Sequence, residues 1–362
     1  MVMHPIEKEF VERYGIEMPT LMKQTVWFED DVVKMLDRRK LPDKIVYISL
    51  KNYEEVAKAI EDMVIQGATS IAHAAGYGLL LTLAQNINAA DEKTLFANLE
   101  NAAKRLKQTR PTGAELIPFI DKVLNMIKDY VARGEDAVAK VNQFLVNEWQ
   151  QALKIGMLTG QHASKLIDDG DTVQTHCWGG AAVAFMFLEA KLQGKNVKAI
   201  ATETRPYLQG ARLTTFTLKE CGIPVTLVTD NMPGYLMWKG VIKKVFTAAD
   251  RIALDGSIAN KIGTYLYAIA ARHNGIPFYI LGYEGPDPNT KTIDDIPIEE
   301  RNPEEIFYLR CVRTAPEGIN GYYPAFDIVP PKYIDAIITW NGIYSPFAIR
   351  ESLKEKIPRF FE

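Results

Sequence analysis

Asp250, Ser257, Asn260 and Lys261 stand close together in one stretch of the chain, KVFTAADRIALDGSIANKIGTY, residues 244–265. Its apolar beginning predicts a buried strand that ends at the carboxylate of Asp250. Asp255 and Gly256 predict a turn, and the remainder predicts a helix whose start carries Ser257, Asn260 and Lys261. In an open α/β sheet, ligands sit outside the carboxyl ends of the strands, where helix amino termini offer free N–H groups to anions. An acid, an amide and an ammonium at such a place suit a small phosphorylated molecule with a proton to be moved.

Three further strand ends carry polar side chains. Cys177 follows the candidate strand 171–176 and precedes Gly179 and Gly180, the start of a helix. A thiol beside a helix amino terminus is expected to have a lowered pKa, because the N–H dipoles favour thiolate; the alternative is a small buried hydrophobe. His176 is its neighbour, but consecutive strand residues point to opposite faces, which argues against a Cys-His nucleophile pair. The next strand ends in Glu203, after which Pro206 stops it, Gln209 and Gly210 open a helix, and Arg205 and Arg212 flank the turn. Such arginines hold an anion or are simply solvated. Asp230 ends a third strand and is read as a helix cap. A row of polar ends, Cys177, Glu203, Asp230 and Asp250, along one sheet edge describes a pocket rim.

Other chemistries find little support. None of the five histidines forms a helix-spaced pair with another, so no metal site is expected. Cys221 and Cys311 are read as small hydrophobes, His273 as a solvent-facing helix end, and all three cysteines as free thiols. No G-x-G-x-x-G follows the first strand of the sheet and no phosphate-binding loop with Gly-Lys-Ser/Thr appears, which disfavours nicotinamide and nucleoside triphosphates.

The elements that must position these residues change character along the chain. Residues 1–150 are expected to form a mostly helical domain with a short β segment. It comprises a short helix, the stretch 20–28, the β-rich 44–49, a helix from Asn52 with Val56, Ala59, Ile60 and Met63 on one face, a second helix just past Gly67, and helical patterning over 91–105 and 113–149. Residues 151–362 alternate strand and helix, with strands at 171–176, 197–202, 224–228, 244–249, 277–281 and 336–339. That rhythm predicts an α/β, doubly wound, Rossmann-like parallel sheet. A helix around 141–166 blurs the boundary. Eight prolines between 283 and 332 predict ordered loops rather than a regular element, in the place where a lid or interface is usual.

The chain of 362 residues has 47% hydrophobic and 24% charged residues and a formal net charge of -3. Those proportions allow a real core and give no broad basic field for nucleic acid or acidic membranes. The amino terminus has acids where a secretory signal needs a basic start, and the longest apolar stretch, residues 71–84, is interrupted by His73, Gly76, Gly78 and Thr82 and is too short for a bilayer of about 30 Å. A cytoplasmic protein is expected.

Several long segments resemble the methylthioribose-1-phosphate isomerases of methionine salvage. They are Gly170 to Cys177, Glu203 to Thr214 with its Thr-Arg-Pro-x-x-Gln-Gly-Ala-Arg core, Thr229 to Met232, Ala249 to Ile252, Asn260-Lys-Ile-Gly-Thr264, Ile296 to Pro303 and Pro324 to Ile328. The first domain matches more thinly, through Gln24-Thr25, Gln66-Gly67-Ala68, Tyr77-Gly78 and Arg110-Pro111-Thr112. The resemblance implies an aldose to ketose isomerase that needs no cofactor, acts on a sugar 1-phosphate and is typically a homodimer. It implies Asp250 as proton donor, Cys177 as the second catalytic group, and Gln66, Gly67, Ala68, Arg110, Gln209, Asn260 and Lys261 as substrate-binding residues. A proton donor at neutral pH requires a carboxyl raised well above about 3.9 by burial, and Val245, Phe246 and Ile252 are expected to bury Asp250. The chain departs from the family at Gln66, where arginine is usual, at Thr69, where proline is usual, and at Trp178, where asparagine is usual. Those changes bear on the substituent at carbon 5, so another ribose 1-phosphate, or a non-catalytic relative like the initiation factor 2B regulatory subunits, stands as the alternative.

Overall fold

The computed structural model describes residues 3–88, 91–110 and 115–361, and the chain divides into two compact units. The first comprises residues 1–7, 20–153 and 359–362, the second residues 8–19 and 154–358. Helix α1 is Pro5–Tyr14.

The first unit sets a small antiparallel sheet, β1 (Val26–Glu29), β2 (Val32–Leu36) and β3 (Tyr47–Leu50), against helices α2 (Tyr53–Glu61), α3 (Ala68–Asn86), α4 (Glu92–Lys107), α5 (Leu116–Ala132) and the first part of α6 (Ala137–Ser164). The β1–β2 hairpin lies beyond the β segment expected near residue 44. Its turn residues Asp30 and Asp31 both have positive φ, 50° and 56°, as a tight primed turn demands. Asn52 and Asp91 start α2 and α4 by accepting from the N–H groups of Glu55 and Thr94. Helix α3 is apolar on every side, and Leu79, Leu80 and Leu83 bury it at the centre of the unit among Leu99, Ile120 and Leu145. A Cβ at position 76 would lie 2.7 Å from Leu145 Cδ2 and 2.9 Å from Phe119 Cε1, so those side chains would have to shift to admit one.

In the second unit, β4 (Thr172–Thr175), β5 (Lys198–Thr202), β6 (Val225–Val228), β7 (Lys244–Ala248) and a later strand, Phe278–Tyr283, form the parallel sheet, within a residue or two of the expected ranges. Helices α7 (Ala181–Leu192), α8 (Thr215–Glu220), α9 (Pro233–Trp238) and α10 (Thr264–His273) connect them. Short strands β8 (Arg251–Ile252) and β9 (Ile258–Lys261) intervene after β7. Phe278–Tyr283 is β10, followed by the hairpin β11 (Tyr308–Leu309) and β12 (Val312–Arg313), then β13 (Phe326–Val329), β14 (Ala336–Thr339) and β15 (Gly342–Tyr344). The order across the main sheet is β15-β14-β10-β7-β4-β5-β6, parallel except for β15. From β4 the chain winds outward through β5 and β6, then returns to β7 and winds the other way. With right-handed crossovers, α7 and α8 fall on one face and α9 and α10 on the other. On the latter face Met237, Tyr267, Ala268 and Ala271 close over Ile200, Val245, Phe278 and Ile280.

Two expectations fail here for one reason. No helix begins at Ser257: residues 258–261 are strand β9, hydrogen-bonded to β13 in the register Ile258 with Val329 through Lys261 with Phe326, and α10 starts only at Thr264. The proline-rich stretch likewise contains a regular element, since β13 occupies the proline-free gap between Pro324 and Pro330. Pairing between distant segments decided both, and local propensity does not report it.

Candidate active site

The winding direction reverses between β4 and β7, so the carboxyl ends of these adjacent strands flank the switch point where open α/β sheets bind ligands. Cys177 lies just past the end of β4 and Asp250 just past the end of β7. With Glu203 after β5 and Asp230 after β6, the four polar ends follow the sheet in the order Asp250, Cys177, Glu203, Asp230.

The backbone of Cys177 is held in the left-handed region, φ 58°. Its N–H donates to the Thr204 hydroxyl at 3.0 Å, and its carbonyl accepts from the Thr214 hydroxyl. The side chain is half-buried. Burial pushes its thiol up to about 12; the Lys261 ammonium pulls against this, while the carboxylates of Asp250 and Asp230 add to it. The expected lowering is therefore reversed. Helix α7 begins only at Ala181, and its Ala182 N–H already donates to the Tyr283 hydroxyl at 3.0 Å, which in turn donates to the Gly179 carbonyl at 2.6 Å. One of the first N–H groups of α7 is thus engaged within the protein, and desolvation dominates at the thiol.

Asp250 is exposed, contrary to the expected burial. Val245 and Phe246 point into the two packed faces of the sheet, and Ile252 into the core beyond, while Asp250 lies past the last strand residue, where none of them covers it. Its N–H donates to the Ala259 carbonyl at 2.9 Å, which ties it to the strand that carries Asn260 and Lys261.

Asn260 and Lys261 are both buried at the end of β9. Asn260 Nδ2 donates to Thr264 Oγ1 at 2.9 Å, and Thr264 donates to the Lys261 carbonyl at 2.6 Å. The Lys261 ammonium lies 4.3 Å from the centroid of the Phe326 ring. Asp327, opposite Asn260 on β13, accepts the N–H groups of Gly263 and Tyr265 at the start of α10. Burial raises its carboxyl to about 6, against the pull of those N–H groups and of Lys261.

Gln209 is buried, and its Oε1 has no hydrogen-bond partner. It immediately precedes a π-helical turn, Gly210–Thr214, a form that recurs at functional sites. A Cβ at position 210 would lie 1.8 Å from the Thr202 carbonyl oxygen, so glycine lets this turn close against β5. Glu203 is half-buried and its carboxyl is raised, by desolvation first and by Asp230 second. Arg205 donates to the carbonyls of Ile306 and Tyr308, clasping the proline-rich stretch. Both ring nitrogens of His176 are engaged, Nδ1 with Thr202 Oγ1 at 2.6 Å and Nε2 with the Ile262 carbonyl at 2.9 Å, so it serves structure and forms no pair with Cys177. Asp230 does not cap α9, whose start has no side-chain cap. Instead it accepts the N–H groups of Thr204 and Arg205.

The remaining expected residues cluster in the first unit. Gly67, φ 93°, is the residue before α3, so Gln66, Gly67 and Ala68 stand at the amino end of that long helix. Gln66 is buried; its Nε2 donates to the Met63 carbonyl at 3.2 Å, and Arg110 Nη1 lies 3.2 Å from the Met63 sulfur. Met63 thus joins Gln66 to Arg110. Pro111 and Thr112 lie outside the described residues. The buried Arg38, which donates to the Gln66 carbonyl and to Thr25 and Ser70, received no role from the sequence. Nor did Thr204, Thr214 and Asp327, although they lie within the segments that carried the resemblance. Cys221 is buried and His273 exposed as expected; Cys311 is exposed on the β11–β12 turn rather than packed. Among the described residues, no group of three or more metal-ligating side chains converges, and no helix is long and apolar enough to cross a membrane.

A doubly wound sheet with a thiol and a carboxylate at its switch point and a buried lysine near the thiol defines a Rossmann-like α/β protein. The chain belongs to the Initiation factor 2 subunit family, which matches residues 64–346. It is 39% identical over 338 residues to the methylthioribose-1-phosphate isomerase of Thermosipho africanus (strain TCF52B), covering 91% of this chain and 96% of that one. Among solved structures, it resembles 5-methylthioribose 1-phosphate isomerase from Pyrococcus horikoshii OT3, with a TM-score of 0.79, 33% identity and 98% of each chain covered. It also resembles the translation initiation factor eIF-2B, subunit delta, from A. fulgidus, with a TM-score of 0.75, 35% identity, and 91% of this chain and 99% of that one covered.

Proposed function

We propose that this protein is an aldose–ketose isomerase that converts 5-methylthioribose 1-phosphate to 5-methylthioribulose 1-phosphate in methionine salvage. The observation that carries the reading is that Asp250 and Lys261 both lie within electrostatic reach of the Cys177 thiol at the switch point of the sheet. Its resemblance to isomerases of that name over nearly the whole chain supports the substrate.

A sugar whose anomeric carbon bears phosphate cannot open its ring unaided. An acid must protonate the ring oxygen, and hydrogen must pass from carbon 2 to carbon 1. Asp250 is the proton donor in this reading, and Cys177 assists the hydrogen transfer. A neutral thiol, kept so by burial, presents a proton rather than a negative charge to the developing oxyanion. In the second unit Lys261, Asn260 and Gln209 are the substrate-binding residues of this reading, and in the first unit the family resemblance assigns that role to Gln66, Gly67, Ala68 and Arg110.

Within the same reading the protein works in the cytoplasm as a homodimer. Leu227 on edge strand β6, Tyr235 and Trp238 on α9, and Leu266 and Ile269 on α10 are exposed apolar side chains of the kind a second copy covers.

Incubating the purified protein with 5-methylthioribose 1-phosphate and following proton NMR tests the function. Appearance of the ketose supports it. Binding of sugar phosphates without turnover would instead favour the non-catalytic reading, which the likeness to the A. fulgidus subunit keeps open. Turnover of ribose 1,5-bisphosphate or 5-deoxyribose 1-phosphate in preference would keep the chemistry and change the substrate.

A further inference from the structure

Thr204 is a β-branched residue at φ 66°, fully buried, one residue past Glu203 at the end of β5. Such a residue rarely adopts this conformation and keeps it only where its surroundings over-determine it. The constraint comes from Asp230. One carboxylate oxygen accepts the Thr204 N–H at 2.8 Å and the other the Arg205 N–H at 2.7 Å. The carboxylate is itself steadied by the Tyr267 hydroxyl, which lies 3.1 Å from the Asp230 carbonyl and 3.3 Å from its Oδ1. In the resulting backbone conformation, the Thr204 hydroxyl is presented to the Cys177 N–H at 3.0 Å. Cys177 is also at positive φ, 58°. Two strained residues on neighbouring strand ends are thus linked through one hydroxyl, and the link is fastened at the third strand end by a carboxylate.

We propose that Asp230 is a positioning residue for Cys177, acting through the Thr204 turn rather than by touching substrate. The proposal rests on Cys177 working in the site. It predicts that the geometry and reactivity of the thiol depend on a side chain two strands away. The charged groups that act on the thiol are Lys261, Asp250 and Asp230, with Tyr323 also nearby. Loss of the Asp230 charge therefore also moves the thiol toward easier ionisation.

The test uses the full chain with Asp230→Asn and Thr204→Ala, and Thr204→Ser as the variant that keeps the hydroxyl. Asparagine presents one acceptor and one donor to two N–H groups, so it cannot hold the turn as the carboxylate does. Two readouts apply. Steady-state kinetics on 5-methylthioribose 1-phosphate should show kcat reduced about 10-fold or more in Asp230→Asn and Thr204→Ala with KM within about 3-fold, and near-normal values in Thr204→Ser. Iodoacetamide labelling of Cys177 against pH, read peptide by peptide to separate it from Cys311, should differ by about 3-fold or more at a fixed pH, with its onset at lower pH in Asp230→Asn. The labelling arm does not depend on the identity of the substrate, so a protein that turns over no sugar phosphate still reports on the positioning. Unchanged labelling and unchanged kcat in Asp230→Asn, whether or not its melting temperature falls, would reduce Asp230 to a scaffold residue. If Asp230→Asn does not fold, Thr204→Ala decides the matter, and wild-type labelling in that variant overturns the proposal.

Discussion

The carboxylate of Asp327 accepts the backbone N–H of Gly263 at 2.8 Å, filling the amino terminus of α10 with an anion that belongs to the protein. The Tyr265 N–H, 3.1 Å from the same oxygen, completes the cap. These two N–H groups are engaged within the protein, and in the proposed reading the phosphate contact is the Lys261 side chain at the end of β9. Lys261→Ala should then raise KM by about 10-fold or more, the scale of one lost hydrogen bond to a charged group, with a smaller effect on kcat. An effect on kcat alone would remove Lys261 from the binding role.

Asp250 extends past β7 into solvent, tied through its backbone to β9. Because Asp250 is exposed, Asp250→Asn should shift the melting temperature by only a few degrees, the scale of other surface changes. The same substitution should lower kcat by about 10² or more, typical of losing a general acid. Unaltered turnover would exclude Asp250 from proton transfer.

His176 is buried and hydrogen-bonded at both nitrogens, and desolvation depresses its pKa from 6.5 to about 4. The unfolded chain therefore binds a proton at higher pH than the folded one. The native state is unpenalised above pH 6.5 and loses stability as pH falls toward 4, by on the order of 3 kcal/mol for this group. Urea denaturation of wild type and His176→Gln at a series of pH values checks this. The substitution should flatten the slope between pH 6.5 and 4, and parallel curves would show that His176 is not its source.

Gly210 and Gly170 offer a controlled comparison. A methyl group at 210 meets the Thr202 carbonyl oxygen at 1.8 Å, whereas at 170 it meets nothing within 4 Å, although φ there is 83°. Gly170→Ala should cost about 1 kcal/mol from backbone strain alone, and Gly210→Ala about 3 kcal/mol or more, because the whole π-helical turn must move off β5. Equal midpoints in chemical denaturation would contradict the close approach.

The parallel strands were legible because most are short apolar or β-branched runs bounded by turn residues, with β14 matching its expected range and the others within a residue or two. The positions of Cys177, Glu203, Asp230 and Asp250 at strand ends followed from the same signal. What they do there did not. The reading of Asp230 as a cap and of Ser257 as a helix start relied on neighbours in sequence, whereas Asp230 is engaged by Thr204 and the residue after Ser257, Ile258, pairs with Val329.

The amino-acid sequence by itself determined the alternation of strand and helix and which polar side chains stand at strand ends, since both depend on local periodicity and turn residues. Only the tertiary structure decided the electrostatics. Burial raises the Cys177 thiol, Asp250 lies at the surface, and Asp327 takes the end of α10, because desolvation and hydrogen-bond occupancy are set by groups that meet only after the chain has folded.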